Sequence, residues 1–235
     1  MKQIYTWGVM AAIGLLAGCA SPSEKQGLEA VAQFYGGSVS FTKGANVTTT
    51  KADAQGKYLE ISLHSAGLTK RYSDMRMPAS NCAYMVYDKL APAEQQAYDY
   101  LKVSLNDSAD AHSYTFRKAE LVMVEKAAVD LNAFLIDLQT EDHAKVQNAF
   151  NLDILDAAAQ KKLPDELAKI EKALAPITDY RVEGYAPVTV EVGNQKVQLV
   201  RFYITLVHAG KTSRMALVIN PEMHLDQPFL YGIQA

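Results

Sequence analysis

Cysteine and histidine have the widest chemical range among the side chains of this sequence, because they serve as nucleophiles, metal ligands and attachment points. The 235 residues include two cysteines and five histidines. The histidines are His64, His112, His143, His208 and His224. None of them forms an H-x-x-x-H pair and no C-x-x-C pair occurs, so we expect neither a metal site nor a cofactor.

No arrangement of nucleophile and base stands out either. The sequence has no G-x-S-x-G nucleophile turn and no glycine-rich phosphate loop, so we predict no catalytic residue. Cys82 lies in an apolar stripe with Ala79, Ala83 and Val86, at the spacing of one helix face. This pattern favours a small buried side chain over a reactive thiol.

Cys19 has a different setting, because it ends a segment typical of export signals. Lys2 supplies a positive charge, an uncharged apolar run follows, and small residues precede the cysteine. The run is shorter than the stretch of about 20 apolar residues that spans a bilayer. We therefore predict that residues 1–18 form a signal peptide.

The four residues Leu16-Ala17-Gly18-Cys19 resemble the lipobox of bacterial lipoproteins. The resemblance implies cleavage before Cys19 and attachment of lipid to its sulfur, and two or more acyl chains anchor a protein stably. Ala20 follows in place of aspartate, which in the Gram-negative family implies the outer membrane, and we expect the periplasmic side. Residues 19–27 are then predicted to be a flexible tether.

Composition places the remainder among ordinary globular proteins. Apolar residues make up 49% of the sequence, and the formal net charge is −3. A mildly acidic chain without a basic cluster is a poor candidate for binding nucleic acid. We therefore expect no nucleic-acid partner.

Residues 28–118 are predicted to form an N-terminal α+β domain with the element order α-β-β-α-β-β. Alternating apolar residues indicate strands at 58–64 and 98–105, and the apolar face from Ala79 to Leu90 indicates a helix between them. The tyrosines of this half fit packing better than a binding platform.

Residues 119–235 are predicted to form a second α+β domain, with helices followed by strands. Apolar residues from Leu121 to Leu138 recur at helical spacing, and Pro164 is predicted to open the last helix. Strands follow at 188–192, 197–207, 214–219 and 228–233. Three helices followed by a curved antiparallel sheet resemble the NTF2-like family, whose cone-shaped domains hold a small molecule or an acid–base pair in their mouth.

The resemblance suggests Tyr180, Tyr185, Tyr203 and His208 as ligand-binding residues, although sheet tyrosines are more often half-buried packing residues. From the predicted anchor and the lack of a catalytic motif, we expect a non-enzymatic binding or assembly module of the cell envelope. Its partners would be membrane lipid, through the acylated cysteine, and an envelope protein. The alternatives are an NTF2-like enzyme that binds a small molecule, and a structural lipoprotein without a ligand.

Overall fold

The protein has a mixed α+β fold with two four-stranded sheets, as the sequence predicts at this level. The computed structural model describes residues 20–46, 55–107, 110–140, 142–152, 157–174, 177–192, 195–208, 211–223 and 228–234. The predicted signal peptide and Cys19 lie outside these residues. Unit 1 contains the described residues up to Met75 together with Met85–Thr115, and unit 2 contains Arg76–Tyr84 and the residues from Phe116 onward.

The division into units lies close to the predicted boundary after residue 118. No sequence pattern indicates that the stretch Arg76–Tyr84 belongs with the C-terminal half. This stretch is the first part of α3 (Arg76–Lys89), so a single helix contributes residues to both units.

The predicted flexible tether is wrong beyond residue 21, because α1 (Pro22–Tyr35) starts there. Ser21 is the N-cap, and its hydroxyl accepts a hydrogen bond from the backbone N–H of Glu24, while the Glu24 carboxylate accepts one from the backbone N–H of Ser21. Such a capping box satisfies two N–H groups that a helix start otherwise leaves without partners. Pro22 favours the same start because its ring fixes a helical φ.

The sheet of unit 1 has the strand order β1-β2-β3-β4. Its strands are β1 (Ser38–Asn46), β2 (Gly56–His64), β3 (Tyr100–Asp107) and β4 (Asp110–Arg117). β1 and β2 pair antiparallel, whereas β2 and β3 pair parallel. Parallel neighbours need a long crossover, and α2 (Leu68–Arg71), α3 and α4 (Pro92–Ala97) supply it.

The alternation of apolar and polar residues along the strands determines which face of this sheet is buried. Leu59, Ile61 and Leu63 on β2 are fully buried, and their partners on β3 are buried as well. The apolar face predicted for α3, from Ala79 to Leu90, is also buried throughout. The sequence pattern therefore selects buried residues correctly on both the sheet of unit 1 and α3.

After its segment of α3, unit 2 contains the helices α5 (Lys118–Gln139), α6 (His143–Asn148) and α7 (Ala157–Leu174). All six residues of the predicted apolar stripe of α5, from Leu121 to Leu138, are buried, and α5 packs against the second sheet. Pro164 lies inside α7 and does not open it, so the predicted start of that helix is wrong. Proline removes one backbone donor, and the helix continues through it here.

The second sheet is an antiparallel meander in the order β5-β6-β7-β8. Its strands are β5 (Ile177–Val192), β6 (Gln195–His208), β7 (Lys211–Ile219) and β8 (Leu230–Gln234). β5 begins well before the predicted strand at 188, and its register shifts between Val182 and Gly184. No helix in the described part of the chain is both long and apolar enough to cross a membrane.

Candidate functional site

The four residues suggested as ligand-binding do not form one cluster. Tyr180 and Tyr185 pair with Leu206 and Phe202 of β6, and so lie on the buried face of the second sheet with His208. Tyr203 has the opposite parity on β6 and pairs with Gly184 and Ala216. Its side chain therefore lies on the other face, which rules out a single site built from all four.

His208 and Tyr180 sit near one end of the shared face. His208 is 4% exposed, its Nε2 lies 2.8 Å from the Ser213 hydroxyl, and its Nδ1 has no hydrogen-bond partner. The hydroxyl of Tyr180 is 3.4 Å from Oδ1 of Asn132 on α5. Both side chains are therefore in contact with neighbouring polar groups of unit 2.

Tyr185 lies further along β5 and is nearly inaccessible, with 2% of its surface exposed. Its backbone N–H donates to the hydroxyl of Ser80 on α3 at 2.9 Å, which holds the strand against the start of that helix. The adjacent residue must be glycine, because a Cβ on Gly184 would lie 2.4 Å from the backbone oxygen of Met77. The Phe116 ring meets the Tyr185 ring edge-on, with 6.1 Å between centroids.

Glu120, in the first turn of α5, places a carboxyl group near the Tyr185 side chain. Its side chain is 17% exposed, and its Oε1 lies 3.5 Å from an Nη atom of Arg76. Neither Oε1 of Glu120 nor the Tyr185 hydroxyl makes a hydrogen bond of good geometry, although the two side chains are close enough for each to shift the pKa of the other. The guanidinium of Arg76 also lies over the Phe116 ring, 5.3 Å from its centroid. We call Arg76, Glu120 and Tyr185 the polar triad.

Burial sets the protonation behaviour of the triad. It raises the pKa of Glu120, and the positive charge of Arg76 and the nearby Tyr185 hydroxyl oppose this rise only in part. Burial also raises the pKa of Tyr185 well above its ordinary value, and the Glu120 carboxylate adds to this effect. The tyrosine therefore remains a neutral hydrogen-bond donor, beside a carboxyl group that takes up a proton more readily than usual.

A buried polar atom without a hydrogen bond destabilises the fold, because it loses about 1–3 kcal/mol of hydration free energy. Two atoms of the triad lack a hydrogen bond of good geometry, and both are suited to a polar group of a ligand. A carboxyl group whose pKa is raised is also a better proton acceptor than an ordinary carboxylate. The triad could thus bind a small polar molecule or exchange a proton with it.

Sequence reasoning missed Arg76 and Glu120. Glu120 reads as an ordinary acidic residue in the first turn of a helix, where the helix dipole favours it. Arg76 is far from it in sequence, and no motif links the two residues. Only the packing of α3 against β5 and α5 within unit 2 brings them together.

A second buried charge lies in unit 1, where Glu24 is 1% exposed. Its Oε1 accepts a hydrogen bond from the Tyr98 hydroxyl at 2.7 Å, and its Oε2 lies 2.8 Å from Nζ of Lys43. Burial alone would raise the pKa of Glu24, but the hydrogen bonds from Lys43, Tyr98 and the Ser21 backbone together hold it below its ordinary value. This carboxylate is fully paired, in contrast to Glu120.

The described residues contain no group of three His, Cys, Asp or Glu side chains that could hold a metal ion. Cys82 is fully buried, and burial raises the pKa of its thiol far above the ordinary range. These properties fit the predicted packing role of Cys82.

No family model, no curated protein and no solved structure matches this chain. The triad and the buried cluster at Glu24 therefore bear most directly on its chemistry.

Proposed function

We propose that this protein is a bacterial lipoprotein, held at the periplasmic side of the outer membrane by lipid on Cys19, and that it is a non-enzymatic binding module. The lipobox-like segment ending at Cys19 supports the anchor. The buried hydroxyl of Tyr185 carries the binding part of the proposal, because neither it nor Oε1 of the neighbouring Glu120 makes a hydrogen bond of good geometry. A ligand that accepts a hydrogen bond from Tyr185 would replace a poorly aligned contact with a well-aligned one.

The anchor is tested by the chemistry of the mature N-terminus. We expect mass spectrometry of the exported protein to show a chain that starts at Cys19 and carries acyl groups. The Cys19→Ser variant should lose the acyl mass and leave the detergent phase in a phase-partition assay. A mature end at another residue, or detergent partition that survives Cys19→Ser, would disprove the anchor.

Binding is tested on the purified chain with fractions of small molecules extracted from the cell envelope, followed by native mass spectrometry. We expect a bound mass that the Tyr185→Phe variant loses. Tyr203→Phe is the matched control, because this tyrosine lies on the opposite face of the same sheet. Equal loss of binding in both variants would place the ligand elsewhere, and co-purification of an envelope protein without a small molecule would favour the assembly role.

An acid–base enzyme is the second candidate function, and the raised pKa of Glu120 beside the neutral Tyr185 favours it. The element order of unit 2, three helices followed by an antiparallel sheet, is similar to that of the NTF2-like family, in which such sites occur. In an enzyme, Glu120→Gln would retain ligand binding and abolish turnover of the bound compound. In a binding module, the same ligand would be recovered unchanged from the wild type and from the variant.

A further inference from the structure

The start of α1 is fixed to unit 1 by a dense polar network. Ser21 and Glu24 bond each other reciprocally through the capping box, at 2.8 and 3.1 Å. The buried Glu24 carboxylate also binds Tyr98, which precedes β3, and Lys43 on β1. The first turn of α1 is therefore held to two other parts of the unit by a charged group without access to water.

A second link ties the same turn to α4. The Ser23 hydroxyl donates to Oε2 of Glu94, and the same oxygen accepts the backbone N–H of Ala91 at 2.9 Å. These hydrogen bonds lower the pKa of Glu94, although its slight burial opposes them. The starts of α1 and α4 are thus joined side by side.

This fixed point is very close in sequence to the proposed lipid attachment. Two residue steps separate Cys19 from Ser21, and they span at most about 7 Å even when fully extended. A typical flexible linker lets a domain move freely above the membrane, but no such length of chain remains between Cys19 and the N-cap. The surface beside the start of α1 must then lie next to the lipid headgroups.

The chemistry of that surface suits a bilayer. Exposed residues beside the two helix starts include Pro22, Lys25, Ala91, Pro92 and Ala93, which we call the anchor face. The carboxylates adjacent to it in sequence are bonded, because Asp88 pairs with Lys89 and Glu94 accepts hydrogen bonds from Ser23 and Ala91. With Lys25 and Lys89 balancing Asp88 and Glu94, the surface has no net negative charge to repel phospholipid headgroups, many of which are anionic.

We propose that unit 1 rests directly on the phospholipid surface through the anchor face and is held there in one orientation by the Ser21–Glu24–Glu94 network. The inference depends on the proposed lipid anchor at Cys19 and adds a contact surface and an orientation to it. The partner is the headgroup layer of the bilayer that holds the lipid.

Quenching of a fluorophore by nitroxide-labelled lipid headgroups tests this orientation. The lipidated protein is reconstituted in phosphatidylethanolamine–phosphatidylglycerol vesicles after a label is placed on Ala93→Cys or, as control, on Ala66→Cys. Ala66 is exposed and follows Ser65, which bonds the last residue of α1, so it lies about 20 Å from the helix start. Cys82 is buried and should stay unlabelled in both variants, which also reports that they are folded.

We expect several-fold stronger quenching at position 93 than at position 66. Insertion of 20 Gly/Ser residues between Ala20 and Ser21 gives a linker with a mean span of about 25 Å, and quenching at 93 should then fall to the level at 66. Equal quenching at the two positions in the native chain, or no effect of the insertion, would overturn the orientation while leaving the anchor intact. Protein that does not float with the vesicles would overturn the anchor, and the orientation with it.

Discussion

Replacement of Glu24 by glutamine tests whether the buried network at the start of α1 stabilises unit 1. Glutamine has the same shape, and its carbonyl oxygen can still accept the hydrogen bond from Tyr98. Its amide nitrogen, however, would face two donors, the backbone N–H of Ser21 and Nζ of Lys43, which now bond Oε2 at 2.8 Å each. The substitution therefore removes one charge and the Oε2 acceptor that these two donors share.

The expected loss of stability follows from the three contacts of the Glu24 carboxylate, with Tyr98, Lys43 and the Ser21 backbone. Hydrogen bonds to a charged group contribute about 1.5–3 kcal/mol each when buried. The Lys43 side chain is 40% exposed, so water replaces much of its interaction, and this pair contributes no more than about 1 kcal/mol. Together with the weaker cap and the weaker bond to Tyr98, we expect Glu24→Gln to lower the free energy of unfolding by about 2–4 kcal/mol at pH 7.

The loss should depend on pH in a defined direction. The pKa of Glu24 in the folded state is lowered, so its contribution is complete above the ordinary glutamate pKa of about 4.3 and disappears as the pH falls through the folded-state value. The wild type and Glu24→Gln should thus differ fully at pH 7 and converge in acid. Urea unfolding followed by circular dichroism measures the difference, and hydrogen exchange assigns it to unit 1.

Glu29→Gln is the matched control, since Glu29 is an exposed acid on the same helix. It should change the free energy of unfolding by no more than about 0.5 kcal/mol. Equal stability of the two variants at pH 7, or a difference that grows as the pH is lowered, would refute the reasoning about the buried carboxylate.

Three further substitutions or measurements test unit 2 and the α3 core. Gly184→Ala should cost about 1–3 kcal/mol in urea unfolding because its Cβ meets a backbone oxygen at 2.4 Å, whereas Gly232→Ala, with its nearest contact at 3.7 Å, should be tolerated. Tyr185→Phe should change the free energy of unfolding by no more than about 1 kcal/mol, since the hydroxyl makes no hydrogen bond of good geometry; a greater loss in the same assay would show that its contact with Glu120 is a strong one. The thiol of Cys82 should resist a thiol reagent in the folded protein and react in urea, and fast labelling of the native state would contradict its burial.

The elements that the sequence predicts best are those whose burial alone decides the structure. The stripes of α3 and α5 and the alternation of β2 were predicted because each apolar residue on them must avoid water independently of its partner. The parallel pairing of β2 with β3 was not predicted, since period-two alternation is the same for either strand direction.

The start of α1 was missed although its signal was present. Ser21 and Glu24 have the spacing of a capping box, and Pro22 stands at the favoured first position. The same residue types, Ser, Pro, Glu and Lys, are also typical of flexible linkers, so composition alone favours a tether at this segment. The helix also depends on Tyr98 and Lys43, which the local sequence does not reveal.

The sequence predicts the candidate site only in part, because the positions of its residues depend on strand register and tertiary packing. Tyr185 and Tyr203 were grouped from their residue type, but a shift of one residue in strand pairing moves a side chain to the other face. The irregularity between Val182 and Gly184 shifts the register within β5 itself. Arg76 and Glu120 meet Tyr185 only through the packing of two helices on one strand.

The burial of a charged group at Glu24 needs a physical reason. A buried ion pair is often no more stabilising than a well-packed apolar replacement, so stability alone does not explain it. Hydrogen bonds fix direction, however, whereas apolar contacts allow a helix end to shift and its first N–H groups to fray. If lipid holds Cys19, every displacement of the folded body against the membrane acts first on Ser21. A directional, water-excluded network at that residue is the arrangement that would keep this force from unwinding α1.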